Sequence, residues 1–135
     1  MDVHFDPREV SPYIKVHDRY TYSELKEIFD NTDVLVAPSV WYETVGFTVL
    51  EALSYGVPVI MSGTVGAKDI LSDGAGIVIE DITSQKLYDI FKNLTTYKLE
   101  KMNQTIVKEQ SIMQIQEMAN LIEKIFYMEA RKRKD

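Results

Sequence analysis

Asp33-Val-Leu-Val-Ala-Pro-Ser39 and Pro58-Val-Ile-Met-Ser62 are two apolar runs without polar alternation, and a helix-like pattern from about Gly46 to Tyr55 separates them. Unalternated runs of this length are expected of parallel strands covered on both faces. Pro38 closes the first run. Gly56 supplies the left-handed residue that commonly ends a helix, just before the second run begins. A strand, a crossover helix and a second strand of this kind imply a right-handed parallel unit.

Working outward, Tyr13 to His17 reads as a short strand and Tyr22 to Phe29 as a helix, apolar at Leu25, Ile28 and Phe29, with Thr21 or Ser23 as its N-cap. Downstream, Gly66 to Leu71 suits a short helix. Gly76-Ile-Val-Ile-Glu80 suits a further strand after the turn at Asp73-Gly74. From Ser84 the pattern is helical almost to the end, with one stripe at Leu87, Ile90, Phe91 and Leu94. A second stripe, at Ile112, Ile115, Met118, Ala119, Ile122 and Phe126, is expected to be core. The predicted class is α/β: a Rossmann-like three-layer sandwich with a parallel sheet, finished by a C-terminal helical segment.

Composition permits this and narrows the function. The 135 residues suit one domain, and 45% apolar with 27% charged residues is ordinary for a folded protein. A formal charge of −6 offers no attraction to nucleic acid. The basic run Arg131 to Lys134 reads as a solvated tail. Cysteine is absent, which excludes a disulfide framework, a thiolate metal site and a cysteine nucleophile. Cytoplasmic residence is the expectation. His4 and His17 match no zinc spacing, so no metal is expected. Neither a P-loop nor G-x-G-x-x-G occurs.

In an open parallel sheet, ligands bind beyond the carboxyl ends of the strands, which directs attention to the loops after Ser39, Ser62 and Glu80. The first of these, Val40-Trp41-Tyr42-Glu43-Thr44-Val45-Gly46-Phe47, is aromatic and acidic and leads into a helix N-terminus. Free N–H groups and a partial positive charge there suit a phosphate or diphosphate. Gly46 is expected to let a ligand approach the backbone closely. Glu51 has apolar neighbours on both sides and needs a partner, either paired sugar hydroxyls or a lysine such as Lys15 or Lys68. Glu43 could simply favour the positive end of the helix. Trp41 and Tyr42 could stack on a ligand or pack beside the loop.

The stretch Glu43-Thr-Val-Gly-Phe-Thr-Val-Leu-Glu51-Ala-Leu-Ser-Tyr-Gly-Val-Pro-Val-Ile60, preceded by Asp33 to Ser39, resembles the glutamate, seven residues, glutamate motif of family 4 retaining glycosyltransferases of the GT-B architecture. The resemblance is good from about Tyr22 to Ile79. It implies that the chain is the donor-binding C-terminal half of a GT-B fold. Glu43 would contact the transferred sugar as the catalytic residue, Thr44, Val45, Gly46 and Phe47 would hold sugar hydroxyls and diphosphate, and Glu51 would take the ribose hydroxyls. No cofactor is implied.

Two departures matter. Where the family often has a glycine pair and then a glutamate, this chain has Val65-Gly66-Ala67-Lys68-Asp69. The family's basic pair for the donor diphosphate and its N-terminal acceptor domain are not in these residues. The expected picture is therefore residues 1–135 as a single truncated nucleotide-sugar-binding domain. Its partners would be a nucleoside-diphosphate sugar and the missing acceptor domain, and it would be inactive alone and open to self-association through an exposed apolar helix face. A sugar-nucleotide epimerase on the same scaffold and a non-catalytic binding module are the competing readings.

Overall fold

The computed structural model describes residues 11–109 and 115–132, and the side chains of 115, 116 and 127–132 lie outside that description. The elements are α1 (Leu25–Asp30), β1 (Leu35–Ala37), α2 (Phe47–Ser54), β2 (Val59–Ser62), β3 (Gly76–Ile79), α3 (Ser84–Asn93), α4 (Thr96–Glu109) and α5 (Ile115–Lys132), with 3₁₀ turns at Tyr22–Glu24 and Gly66–Ile70. The three strands form one parallel sheet in the order β1-β2-β3. Leu35, Val36 and Ala37 stand opposite Val59, Ile60 and Met61, and Val59 to Ser62 stand opposite Gly76 to Ile79. A parallel sheet with flanking helices makes the chain α/β and Rossmann-like, as its apolar runs predict.

The central strand explains why the two runs read as they do. Every residue of β2 is buried, because strands flank it on both edges and it is covered on both faces. Val59 and Met61 join the main core, together with Leu25 and Phe29 of α1, Val49, Ala52 and Leu53 of α2, and Ile106 of α4. The residues of β1 are only partly buried and the strand is three residues long, shorter than the Asp33 to Ser39 run suggests. Among the described residues β1 pairs with β2 alone, so half of its ladder lacks the neighbour that would bury it.

The helix before β1 is anchored locally. The Glu24 carboxylate accepts from the Thr21 N–H at 2.7 Å and from the Thr21 hydroxyl at 2.6 Å, satisfying a donor that the helix start would otherwise leave free. The hydroxyl, and after it the N–H, hold the Glu24 carboxyl below its ordinary value of 4.5. A lowered folded-state pKa contributes stability that is complete above the unfolded value and lost as pH falls through the folded one. The stability difference between the protein and Glu24→Gln should therefore be constant above pH 4.5 and shrink on acidification below it. Urea denaturation across a pH series reads this directly.

Three expectations need correction. Tyr13 to His17 is not a strand: residues 15–20 have no regular structure, and Tyr13 and Val16 are 92% and 63% exposed. Ile14 and Val16 provide the alternation, but a strand also needs a neighbour for its N–H and C=O groups, and none of the described strands pairs there. The helical segment from Ser84 is interrupted at Leu94 and Thr95, where Leu94 turns extended and the Thr95 hydroxyl accepts from the Lys98 N–H at 3.3 Å. The stripe expected as core in α5 lies at the surface instead. Met118, Ile122 and Phe126 are 51%, 47% and 73% exposed, and Leu121 and Ile125 on the same face are exposed as well. Ile112 and the Ile115 side chain lie outside the described residues. Among the described residues of the helices after Ser84, the position that reaches the core is Ile106, on α4. No helix among the described residues is long and apolar enough to cross a membrane.

Candidate functional site

The loops that leave the carboxyl ends of all three strands surround one cleft of about 320 Å³, lined among others by Ser39, Tyr42, Ser62, Thr64, Lys68 and Glu80. This is where ligands enter an open parallel sheet, and the three loops are those that the strand pattern singles out. Side-chain hydroxyls brace the floor. Ser62 donates to the Ser39 carbonyl at 2.6 Å, and Thr64 donates to the same carbonyl at 2.7 Å. Ser39 in turn donates to the Trp41 carbonyl at 2.9 Å, so the start of the aromatic loop is fixed from below. Trp41 and Tyr42 themselves are 80% and 92% exposed, so neither packs into the described core.

Beside the cleft, the loop from Glu43 to Gly46 runs along the loop after β2. The Glu43 N–H donates to the Thr64 carbonyl at 3.0 Å, the Gly66 N–H donates to the Glu43 carbonyl at 2.8 Å, and the Ala67 N–H donates to the Val45 carbonyl at 2.8 Å. Glu43 and Val65 thus form a parallel bridge. Gly66 is where the two backbones come closest: a Cβ on it would lie 2.0 Å from the Thr44 carbonyl oxygen. The single glycine in the Val65-Gly66-Ala67 stretch therefore serves backbone contact. Asp69 follows within the 3₁₀ turn and is exposed.

Gly46 begins α2 with φ +82°, a conformation that side chains other than glycine rarely adopt. On the side where a Cβ would stand, the space beside its Cα is taken by the protein itself. A Cβ there would stand 2.6 Å from Val65 Cγ1, so the buried Val65 fills it. The same imaginary Cβ would be 3.5 Å from Glu43 Oε2, which places the Glu43 carboxylate against the turn that opens α2. Thr44 is exposed, Val45 is half-buried, and Phe47, the first residue of the helix, is 75% exposed. An acidic group, a left-handed glycine and the open end of a helix are thus brought together at the rim of the sheet.

Glu51 lies on the second turn of α2, half-buried next to fully buried Ala52 and Leu53. Its partner is neither Lys15 nor Lys68. The Tyr20 hydroxyl donates to Glu51 Oε2 at 3.0 Å across 31 residues of sequence. Tyr20 carries no local signal of such a role, because the segment around it has no periodicity. Lys68 and Thr64 in the cleft are likewise visible only in three dimensions.

Residues 5–111 match the family described as "Glycosyl transferases group 1". An "Uncharacterized 41.2 kDa protein in cps region" of Klebsiella pneumoniae is 35% identical over 75 residues, covering 55% of this chain and 21% of that protein. "Alpha-maltose-1-phosphate synthase" from Mycobacterium tuberculosis is 37% identical over 59 residues, covering 44% of this chain and 15% of that protein. The match thus spans about a fifth or less of the length of these relatives.

Proposed function

Because the chain belongs to the glycosyl transferases group 1 family, we propose that it is the donor-binding C-terminal domain of a retaining, family 4 type glycosyltransferase. The whole enzyme would move a sugar from a nucleoside-diphosphate sugar to an acceptor hydroxyl, with the acceptor site on another domain and no transfer by this chain alone. Polysaccharide assembly is the proposed setting, and the likeness to a protein of a cps region gives it loose support.

The observation that carries this reading is the placing of Glu43 against the left-handed start of α2, at the carboxyl end of a parallel sheet. A diphosphate seated at that helix end accepts from N–H groups that have no partner within the helix and meets a partial positive charge. Both stabilise the negative charge that grows on the diphosphate as the glycosidic bond breaks. Glu43 would face the transferred sugar, balancing positive charge at the reacting carbon, and the backbone from Thr44 to Phe47 would hold sugar hydroxyls and phosphate. Glu51, one turn further on, would accept from the ribose hydroxyls.

Calorimetric titration of the chain with UDP, GDP, UDP-glucose and GDP-mannose tests this. One nucleotide should bind saturably, and Glu51→Ala should weaken it by about tenfold, near the scale of a hydrogen bond to a charged group. Saturable binding that the substitution leaves unchanged would remove Glu51 from the ribose site. Absence of binding at millimolar ligand, with the complete protein as well as this chain, would favour a non-catalytic module.

A further inference from the structure

We propose that Tyr20 is a positioning residue for the nucleotide ribose, acting through Glu51, and that it sets the preference for ribose over deoxyribose. The inference rests on the donor-site reading of Glu51. Its own basis is the hydrogen bond from the Tyr20 hydroxyl to Glu51 Oε2 at 3.0 Å.

Tyr20 is itself 45% exposed in an irregular segment, but it directly precedes a turn that is tied down. The next residue, Thr21, is tied to Glu24 through both its N–H and its hydroxyl. Leu25, directly after the turn, is 2% exposed in the core. Phe29, at the other end of α1, stacks on Tyr55 just past the end of α2, with ring centroids 5.3 Å apart. The α1 unit and α2 are therefore joined at two places, Phe29 with Tyr55 and Tyr20 with Glu51.

A carboxylate offers about four acceptor directions, and Tyr20 occupies one of them. Enough remain for both hydroxyls of a vicinal diol. A neutral phenol orients the carboxylate without cancelling its charge, so the remaining directions keep the strength of charge-assisted bonds. A lysine in the same position would have taken that charge for an ion pair. Losing the phenol hydroxyl frees the Glu51 side chain to rotate, and binding must then order it again.

Tyr20→Phe keeps the ring and removes only the donor. The probes are UDP and GDP, each beside its 2′-deoxy counterpart, titrated calorimetrically into the chain, Tyr20→Phe, Glu51→Ala and the double variant. The nucleotide that binds should weaken roughly three- to tenfold in Tyr20→Phe, and its 2′-deoxy form should weaken less, so discrimination between the two falls. In the Glu51→Ala background, Tyr20→Phe should add nothing, because the two residues act as one unit. A loss that is merely structural would lower both nucleotides equally and move the urea midpoint. If the chain binds nucleotide and Glu51→Ala weakens it, yet Tyr20→Phe leaves discrimination unchanged or binds more tightly, this inference is overturned and the donor site stands. If the chain binds neither nucleotide, the donor-site reading fails for this chain and the inference fails with it.

Discussion

Gly66→Ala should lower stability by roughly 2–4 kcal/mol and abolish measurable nucleotide binding, the largest effect expected of so small a change. The added methyl would lie 2.0 Å from the Thr44 carbonyl oxygen, 2.7 Å from the Thr44 carbonyl carbon and 3.0 Å from the Glu43 carbonyl oxygen. All three are backbone atoms, so no side chain can rotate out of the way. The loop from Glu43 must move instead, which stretches the 2.8 Å bond from the Gly66 N–H to the Glu43 carbonyl and the bridge between Glu43 and Val65. Gly74→Ala is the matched control. Its φ of +81° carries a conformational cost of about 1–2 kcal/mol, but the new methyl meets only Thr105 side-chain atoms at 3.7 and 3.9 Å. Chemical denaturation of both variants, with nucleotide titration of each, separates the two causes. Equal stability losses with binding retained in both would show that the backbone contact at Gly66 does not shape the site.

Phe29→Ala should cost about 3–5 kcal/mol, the range for truncating a buried aromatic side chain. Phe29 is 5% exposed and belongs to the main core, and its ring also stacks on Tyr55 with an interplanar angle of 22°. Removing it leaves a cavity between α1 and the end of α2. The consequence extends to function, because the same α1 unit holds Tyr20 on Glu51. Thermal and urea unfolding give the stability loss. Amide exchange of residues 20–30 should quicken more than exchange in β2, whose residues are all buried. Uniform quickening would mean that α1 and the sheet open as one unit.

The elements that could be read from the chain are those whose signal is local. Val59 to Ser62 is an apolar run because both of its faces and both of its edges are covered, and the sequence has to match that demand within four residues. Gly56, with φ +77°, ends α2 because only a residue without a Cβ takes that conformation easily. α3 starts where the helical pattern from Ser84 begins, and the structure adds its cap, the Thr83 hydroxyl accepting from the Lys86 N–H. Patterns misled where they state a propensity without a partner. Ile14 and Val16 alternate like a strand that nothing pairs with, and the α5 stripe from Met118 to Phe126 has helical spacing but remains exposed.

The candidate site divides along the same line. The sequence by itself determined the parallel α/β class, the three loops at the carboxyl ends of the strands, and the two glutamates that bracket the start of α2, since each depends on residues within about one element. Only the tertiary structure decided that Val65 occupies the room beside Gly46, that Gly66 is needed for contact with Thr44, and that Glu51 takes its hydrogen bond from Tyr20. Each of these joins segments 19 to 31 positions apart, and the physical reason is general. Periodicity and turn chemistry record what a residue requires of its neighbours in sequence, whereas the hydrogen bonds and contacts that complete a site are fixed only when the strands register and the helices pack.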